Sequence, residues 1–383
     1  MLDSTMKHQM KRVLIFSLAY YPHVGGAEIA LKEITDRIQD VEFHLLTLNF
    51  GADMKEEKIG NIFVHRVGND PAYLSKVLFV PRAALRAARL HRVHHFDAFW
   101  AMMSYMLFPI VILRWSGIRV TYLLTLQEGD PFSYMFKRWF ILPFGPLLKT
   151  GFKNASAVQA ISTYLGEWAE KMGYRGDATV IPNGVDIARF GSVQHQVLHT
   201  ITLVTTSRLV HKNAIDDVIR ALKFLPDNIC FRVYGNGPDC DDLMELAHEI
   251  GVETRVEFLG HVEHSELSRA LNECDIFVRP SRSEGMGNSF IEAMAAGLPV
   301  IATQEGGIAD FLFDAKRNPE KPTTGWAVDK NSPEQIAEAI KDILAHPEQV
   351  SRVTQTAKKM IEEKYDWNLI AARMRTLFAT ISV

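Results

Sequence analysis

The chain has 383 residues, 42 of them Lys or Arg against 45 Asp or Glu, and 47% are apolar. At roughly 100–200 residues per domain this length fits two domains, and the composition excludes disordered, collagen-like and disulfide-stapled proteins. A net charge of −3 gives no reason to expect a nucleic-acid partner.

In chain order, the first half alternates short apolar runs with amphipathic stretches, the pattern of a parallel α/β sheet. Strands are expected at 13–18, 43–47, 62–67, 98–102, 120–126 and 157–160, with helices at 28–38, 75–93 and 105–115. The uncharged run between Asp97 and Arg114 is interrupted by Pro109. It is shorter than the ~20 residues a spanning helix needs and reads as a strand followed by a buried helix. The polar N-terminus enters a strand without a signal-peptide core. Residues 182–200, beginning Pro-Asn-Gly-Val-Asp, read as a linker. A second α/β series follows, with strands at 202–207, 230–234, 256–259, 276–279 and 300–302. Its helices are expected at 214–222, 241–249, 263–272, 289–296 and 333–344, and a helical end at 351–381 crosses back onto the first domain. The expected fold is two Rossmann-like, doubly wound domains facing across a cleft. The first covers 11–188 plus a returning helix 366–383, and the second covers 198–365. Ligands in such sheets sit at the carboxyl ends of strands.

Charge is uneven. Residues 1–190 carry a net +5 and the remainder −8; within the first half, residues 73–153 hold 11 basic and 3 acidic side chains. Basic residues lie beside bulky apolar ones at 73–95 (Lys76, Arg82, Arg86 and Arg89 among Leu78, Phe79, Leu85 and Leu90) and at 135–153 (Lys137, Arg138, Trp139, Lys149). That composition suits peripheral contact with an anionic membrane; the alternative is helices that bury their apolar faces and leave the arginines solvated. His91, His94 and His95 add to this basic surface. Cys230, Cys240 and Cys274 are odd in number and have no CxxC spacing, so a reducing, cytoplasmic location is expected and a zinc site is not.

Four segments carry chemistry. In Arg279-Pro-Ser-Arg-Ser-Glu-Gly-Met-Gly-Asn-Ser-Phe-Ile-Glu-Ala-Met-Ala-Ala-Gly-Leu-Pro-Val300 a strand runs into a glycine-containing loop and then a helix. Glu284 and Glu292 can accept several hydroxyl hydrogens from a polyhydroxylated ligand. Ser289-x-x-Glu292 is also a capping box, which for Glu292 taken alone is the better reading. Arg208 and Lys212 follow a strand four positions apart, as a diphosphate clamp requires, though a basic pair there is more often plain surface charge. Gly25 and Gly26 allow a phosphate to approach the backbone, or simply serve a tight turn. Gly235-Asn-Gly237-Pro238 resembles a dinucleotide fingerprint, but its third glycine position is Cys240, so NAD binding is not expected.

The glutamate segment with Glu-Ala-Met-Ala-x-Gly-x-Pro-Val resembles the signature of glycosyltransferase family 4, retaining nucleotide-sugar enzymes of GT-B fold. The resemblance extends, in order, over Pro22-His-Val-Gly-Gly-Ala-Glu28, Ile181-Pro-Asn-Gly-Val-Asp186, Arg208 and Lys212, Gly235-x-Gly-Pro238, Phe258-Leu-Gly-His-Val262 and Tyr365-Asp-Trp367. It implies that Arg208 and Lys212 bind the donor diphosphate and Glu292 the ribose. Glu284 with the backbone of Gly285, Met286, Gly287 and Asn288 would bind the sugar. Gly25 and Gly26 would lie near the phosphates, Gly235 at the donor site, and Gly260, His261 and Val262 near the base. Where the family often has a His near the sugar, this sequence has Gln127, which can hydrogen-bond but not act as an acid. His23, Glu128 and Asp130 are acceptor-side candidates. No metal or cofactor is expected, the donor being a nucleoside-diphosphate sugar and the acceptor a glycan or lipid-linked hydroxyl in cell-surface glycan or glycolipid synthesis. A catalytically degenerate nucleotide-sugar binder and a nucleotide-sugar epimerase are the competing readings, and the expected location is the cytoplasm or the inner face of the plasma membrane.

Overall fold

A computed structural model describes residues 10–52, 54–68, 72–190 and 200–381. The chain divides into two compact units, one of Met1–Glu128, Phe132–Pro182 and Trp367–Val383, the other of Gly129–Pro131 and Asn183–Asp366.

The first unit contains β1 (Lys11–Phe16), β2 (Val41–Leu48), β3 (Glu56–Ile59), β4 (Ile62–Val67), β5 (Ala98–Met102), β6 (Thr121–Leu126), β7 (Ala157–Ala160) and β8 (Thr179–Val180). Its helices in chain order are α1 (Gly26–Arg37), α2 (Tyr73–His94), α3 (Leu107–Trp115), α4 (Phe132–Phe136), α5 (Gly145–Lys153) and α6 (Thr163–Lys171). The sheet order is β3-β4-β2-β1-β5-β6-β7-β8, parallel except for the β3–β4 hairpin. Strands β1 and β5 read Val-Leu-Ile-Phe and Ala-Phe-Trp-Ala-Met and are apolar on both faces because helices cover both.

The second unit contains β9 (Ile201–Thr206), β10 (Ile229–Tyr234), β11 (Val256–Gly260), β12 (Ile276–Arg279), β13 (Val300–Ala302) and β14 (Trp326–Ala327) in the order β11-β10-β9-β12-β13-β14, all parallel. Its helices are α7 (Ile215–Ala221), α8 (Cys240–Glu249), α9 (Leu267–Asn272), α10 (Asn288–Ala295), α11 (Pro333–Ala345) and α12 (Pro347–Lys364). Renumbered from its first strand, this order is 3-2-1-4-5-6, the dinucleotide-fold order, whose direction reverses between β9 and β12. The expected binding loops leave the carboxyl ends of those two strands.

The helical end differs from the continuous helix expected from the sequence. Val185 forms a parallel bridge with Asp366 and donates its amide to the Tyr365 carbonyl at 2.7 Å, which draws this backbone out of helical geometry. A new helix, α13 (Trp367–Ile381), follows and belongs to the first unit, where Trp367, Ile370, Met374 and Phe378 join the core beneath Phe43 and Trp100. The stretch read as a linker is also partly ordered: Asn183, Val185 and Phe190 are buried in the second unit, and residues 191–199 lie outside the described residues.

Candidate active site

The residues of the second unit that the resemblance assigns to the donor collect at one end of its sheet. β9 leads into Arg208 and Lys212, β10 into Gly235, β11 into Gly260, His261 and Val262, and β12 into the loop of Glu284. The backbone of the Gly235 loop lies against the one after β9: Gly235 has φ +140°, and a Cβ there would come within 1.8 Å of the Ser207 carbonyl oxygen. This close approach, with Leu209 donating its amide to Asn236 at 3.0 Å, explains the Gly-x-Gly spacing without a dinucleotide.

Glu284 is held by a buried arginine at the end of β12. Arg279 Nη2 donates to Glu284 Oε2 at 2.6 Å, its Nη1 donates to Ser289 Oγ at 2.8 Å, and the guanidinium lies over the Phe290 ring at 4.1 Å. The pair is nearly dry, with side-chain exposures of 6% for Arg279 and 13% for Glu284. Burial lowers the Arg279 pKa from its ordinary value, opposed by the charges of Glu284 and Glu292. Gly285 donates its amide to Glu284 Oε1 at 3.0 Å, so the carboxylate is fixed through both oxygens. Gly287 has φ +83°, and a Cβ there would meet Arg279 and Phe290 at 2.5–2.6 Å; only glycine lets the loop close over this pair.

The capping-box alternative for Glu292 fails. The helix starts at Asn288 with Gly287 in the cap position, two residues before Ser289, and Ser289 Oγ is turned to Arg279. Glu292 instead faces His264, whose Nε2 lies 3.2 Å from Oε1. Arg189 can only donate and sits 3.2 Å from His264 Nδ1, so the imidazole proton is on Nε2 and points to Glu292. Asn288 Oδ1 accepts from Asn183 Nδ2 at 3.0 Å.

Arg208 is exposed, with no side-chain partner among the described residues. Lys212 pairs with Asp130 at 3.2 Å, both half-exposed, and its Nζ lies where a Cβ on Gly129 would fall, 2.7 Å away. Ser283 Oγ donates to the Gly129 carbonyl at 3.3 Å. Asp130, an acceptor-side candidate from the sequence, thus stands beside Lys212, for which the resemblance implies a diphosphate role.

The remaining candidates lie in the first unit. His23, Gly25 and Gly26 are exposed after β1, and the Gly25 amide donates to Glu28 Oε2 at 2.8 Å. Gln127 is half-buried at the end of β6. Glu128 is 1% exposed and its Oε1 accepts from both the amide and the hydroxyl of Ser104, each at 2.6 Å. Burial raises the Glu128 pKa, with the Ser104 bonds opposing. Its carboxyl fastens the turn after β5, where Met103 has φ 68°.

Sequence reasoning missed Arg279 and His264. Arg279 was inside the motif but carried no signal of its partner, and His264 stands outside any motif.

Two family models match the chain in tandem, "Glycosyltransferase Family 4" over residues 24–189 and "Glycosyl transferases group 1" over 194–360. The chain belongs to glycosyltransferase family 4. Among curated relatives of this glycosyltransferase is the GDP-mannose-dependent alpha-(1-6)-phosphatidylinositol monomannoside mannosyltransferase of Mycobacterium tuberculosis, 26% identical over 95% of this chain and 97% of that protein. Solved structures with the same GT-B fold include sucrose-phosphate synthase from Thermosynechococcus elongatus, with TM-score 0.82, 19% identity and coverage of 96% and 98%. Another is Anabaena HepE in complex with UDP-glucose, with TM-score 0.78, 20% identity and coverage of 96% and 99%.

Proposed function

We propose that this chain is a retaining glycosyltransferase that moves a hexose from a nucleoside-diphosphate sugar to a hydroxyl of a glycan or lipid-linked acceptor. The observation that carries the donor assignment is the buried Arg279–Glu284 pair in the loop after β12, on the strand adjoining the one that leads to Arg208 and Lys212. In this reading the two cations face the diphosphate, whose negative charge grows as the sugar leaves, and no metal is required. The Lys212–Asp130 pair is solvent-exposed and worth ~0–1 kcal/mol, so phosphate oxygens replace Asp130 at little cost. Glu292 accepts from ribose hydroxyls through the oxygen not engaged by His264, and Glu284 accepts from the sugar. Gly285 to Asn288 carry the sugar-side backbone; Gly235, Gly260, His261 and Val262 flank the base. The first unit carries acceptor recognition, with His23 as its candidate contact. Glu128 acts there by holding the Ser104 turn.

The mycobacterial relative is named for GDP-mannose and a neighbouring structure holds UDP-glucose, so the base is assigned by experiment. Incubation with a panel of UDP- and GDP-hexoses, without added metal, should show slow hydrolysis of one donor. Binding without turnover of any donor, with every acceptor class tried, would favour the degenerate-binder reading.

A lipid-linked acceptor is supported by exposed apolar side chains beside bases: Trp139, Leu142 and Phe144 near Lys137 and Lys149, and Tyr73, Leu74 and Val77 near Lys76. Of the residues named in 73–95, Phe79 and Leu90 are buried in the first unit, so the 135–153 segment carries more of this proposal. No helix among the described residues is long and apolar enough to cross a membrane. We place the enzyme at the inner face of the plasma membrane, a reducing compartment in keeping with its three free cysteines. Flotation with anionic but not neutral vesicles, reversed by salt, is expected; recovery of all protein in the soluble fraction at low salt would exclude attachment.

A further inference from the structure

A second polar cluster lies in the first unit, on elements that supply none of the donor-side residues. Glu42 and His44 alternate along β2 and so face the same side of the sheet, and the C-terminal turn of α2 brings His94 over them. His44 Nε2 is 3.1 Å from Glu42 Oε1, the His44 and His94 ring centroids are 4.4 Å apart, and one donor atom from each of the three residues lies within 4.8 Å of the other two. His44 is 3% exposed, whereas Glu42 and His94 are only partly covered, which leaves the cluster an open side.

We propose that Glu42, His44 and His94 form a divalent transition-metal site of zinc type, which fastens the C-terminal end of α2 to β2. Two imidazoles and one carboxylate make a donor set suited to Zn²⁺ or Co²⁺ and poor for Mg²⁺, which prefers oxygen alone. With metal–ligand bonds of ~2.0–2.1 Å, tetrahedral ligands stand roughly 3.4 Å apart, a spacing that Glu42 and His44 approach and His94 reaches by a small side-chain movement.

The neighbours of His44 strengthen the assignment. His44 Nδ1 lies 3.0 Å from His65 Nε2, and His65 Nδ1 lies 3.3 Å from Glu56 Oε1, with Arg86 paired to the same carboxylate. Read from Glu56, which can only accept, the proton of His65 is on Nδ1. His65 Nε2 then accepts from His44 Nδ1, which leaves the His44 Nε2 lone pair for a metal; without an ion that nitrogen carries a proton toward Glu42 Oε1, which can only accept, and the metal replaces this proton. A ligating histidine whose other nitrogen donates into a histidine–carboxylate chain is the usual outer support of a bound metal. Arg12 stands opposite Glu42 on β1 and donates to Glu42 Oε1 at 3.0 Å and to the His94 carbonyl at 2.9 Å, so it ties two ligand-bearing residues together. Its charge competes with the ion and limits affinity. The proposed metal serves the fold and takes no part in sugar transfer.

The test uses the full chain, free of tags and dialysed against chelator. Zinc titration by calorimetry should give one ion per chain, zinc should raise the melting temperature, and cobalt should give the visible absorption of a low-coordinate ion. Glu42→Gln, which keeps the side-chain shape, and His94→Ala, at a partly exposed helix end, should each weaken zinc about 100-fold, and His65→Phe about 10-fold. Circular dichroism verifies that the variants fold. No zinc heat and no cobalt band would overturn the proposal. So would binding unchanged in Glu42→Gln and His94→Ala, whichever of the two remains folded.

Discussion

Replacing Arg279 with alanine isolates what holds the candidate sugar-binding glutamate. The substitution leaves Glu284 with a buried negative charge and only the Gly285 amide at hydrogen-bond distance, and it removes the donor to Ser289 and the cation over Phe290. Breaking a buried pair by removing one partner costs about 3–5 kcal/mol, most of it the stranded charge. At roughly 2–4 °C per kcal/mol for a unit of this size, that is a fall of about 10 °C in the melting temperature of the second unit. The double variant Arg279→Ala/Glu284→Gln removes the stranded charge and should recover at least ~1.5 kcal/mol of the loss, the scale of coupling between residues in direct contact. Urea unfolding of the four proteins measures it. If the double variant is no more stable than Arg279→Ala, the charge pair is not what stabilises this loop. If Arg279→Ala loses less than ~1 kcal/mol, the pair is not buried as described.

Glu292→Ala should weaken free nucleoside diphosphate, which carries the ribose, whereas Glu284→Ala should spare it and weaken only the nucleotide sugar; calorimetry with both ligands separates the two roles. Arg208→Ala and Lys212→Ala should each lower turnover by roughly 10²–10³, and chelator should leave turnover intact; restoration of a chelated enzyme by magnesium would refute the cation clamp. Because burial raises the Glu128 pKa in the folded state, the native protein binds a proton that the unfolded chain releases near ~4.3. Stability therefore falls as pH rises through that range, and Glu128→Gln, which still accepts from Ser104, should gain on the wild type with pH in unfolding measurements from pH 4 to 8.

The strands that flank the candidate site were legible because parallel strands covered on both faces leave uninterrupted apolar runs, as at 276–278 and 300–302. The edge hairpin was not: β3 reads Glu-Glu-Lys-Ile, a charged edge strand with no periodic apolar face. Position in the sequence brought Glu284 and Glu292 forward, but the partner of each lies on another element and leaves no periodic trace. Ser289-x-x-Glu292 misled for a local reason: the helix is capped two residues earlier, at Gly287 with its positive φ, and Arg279 claims the serine. The aromatic–basic pattern at 73–95 could not distinguish Phe79, which faces the sheet, from Val77, which faces water, because Pro81 and the neighbouring alanines blur the helical stripe.

The placement of α13 has a consequence for how the chain is made. The second unit is almost wholly contiguous, Asn183–Asp366, whereas the first unit borrows Trp367, Ile370, Met374 and Phe378 from the far end of the chain to fill the core against Phe43 and Trp100. During synthesis the half that emerges first therefore waits for α13, whereas the half that emerges second is complete once Asp366 has emerged, Gly129–Pro131 having preceded it. A released chain truncated after Asp366 should hold a protease-resistant second unit and a first unit that is open to cleavage.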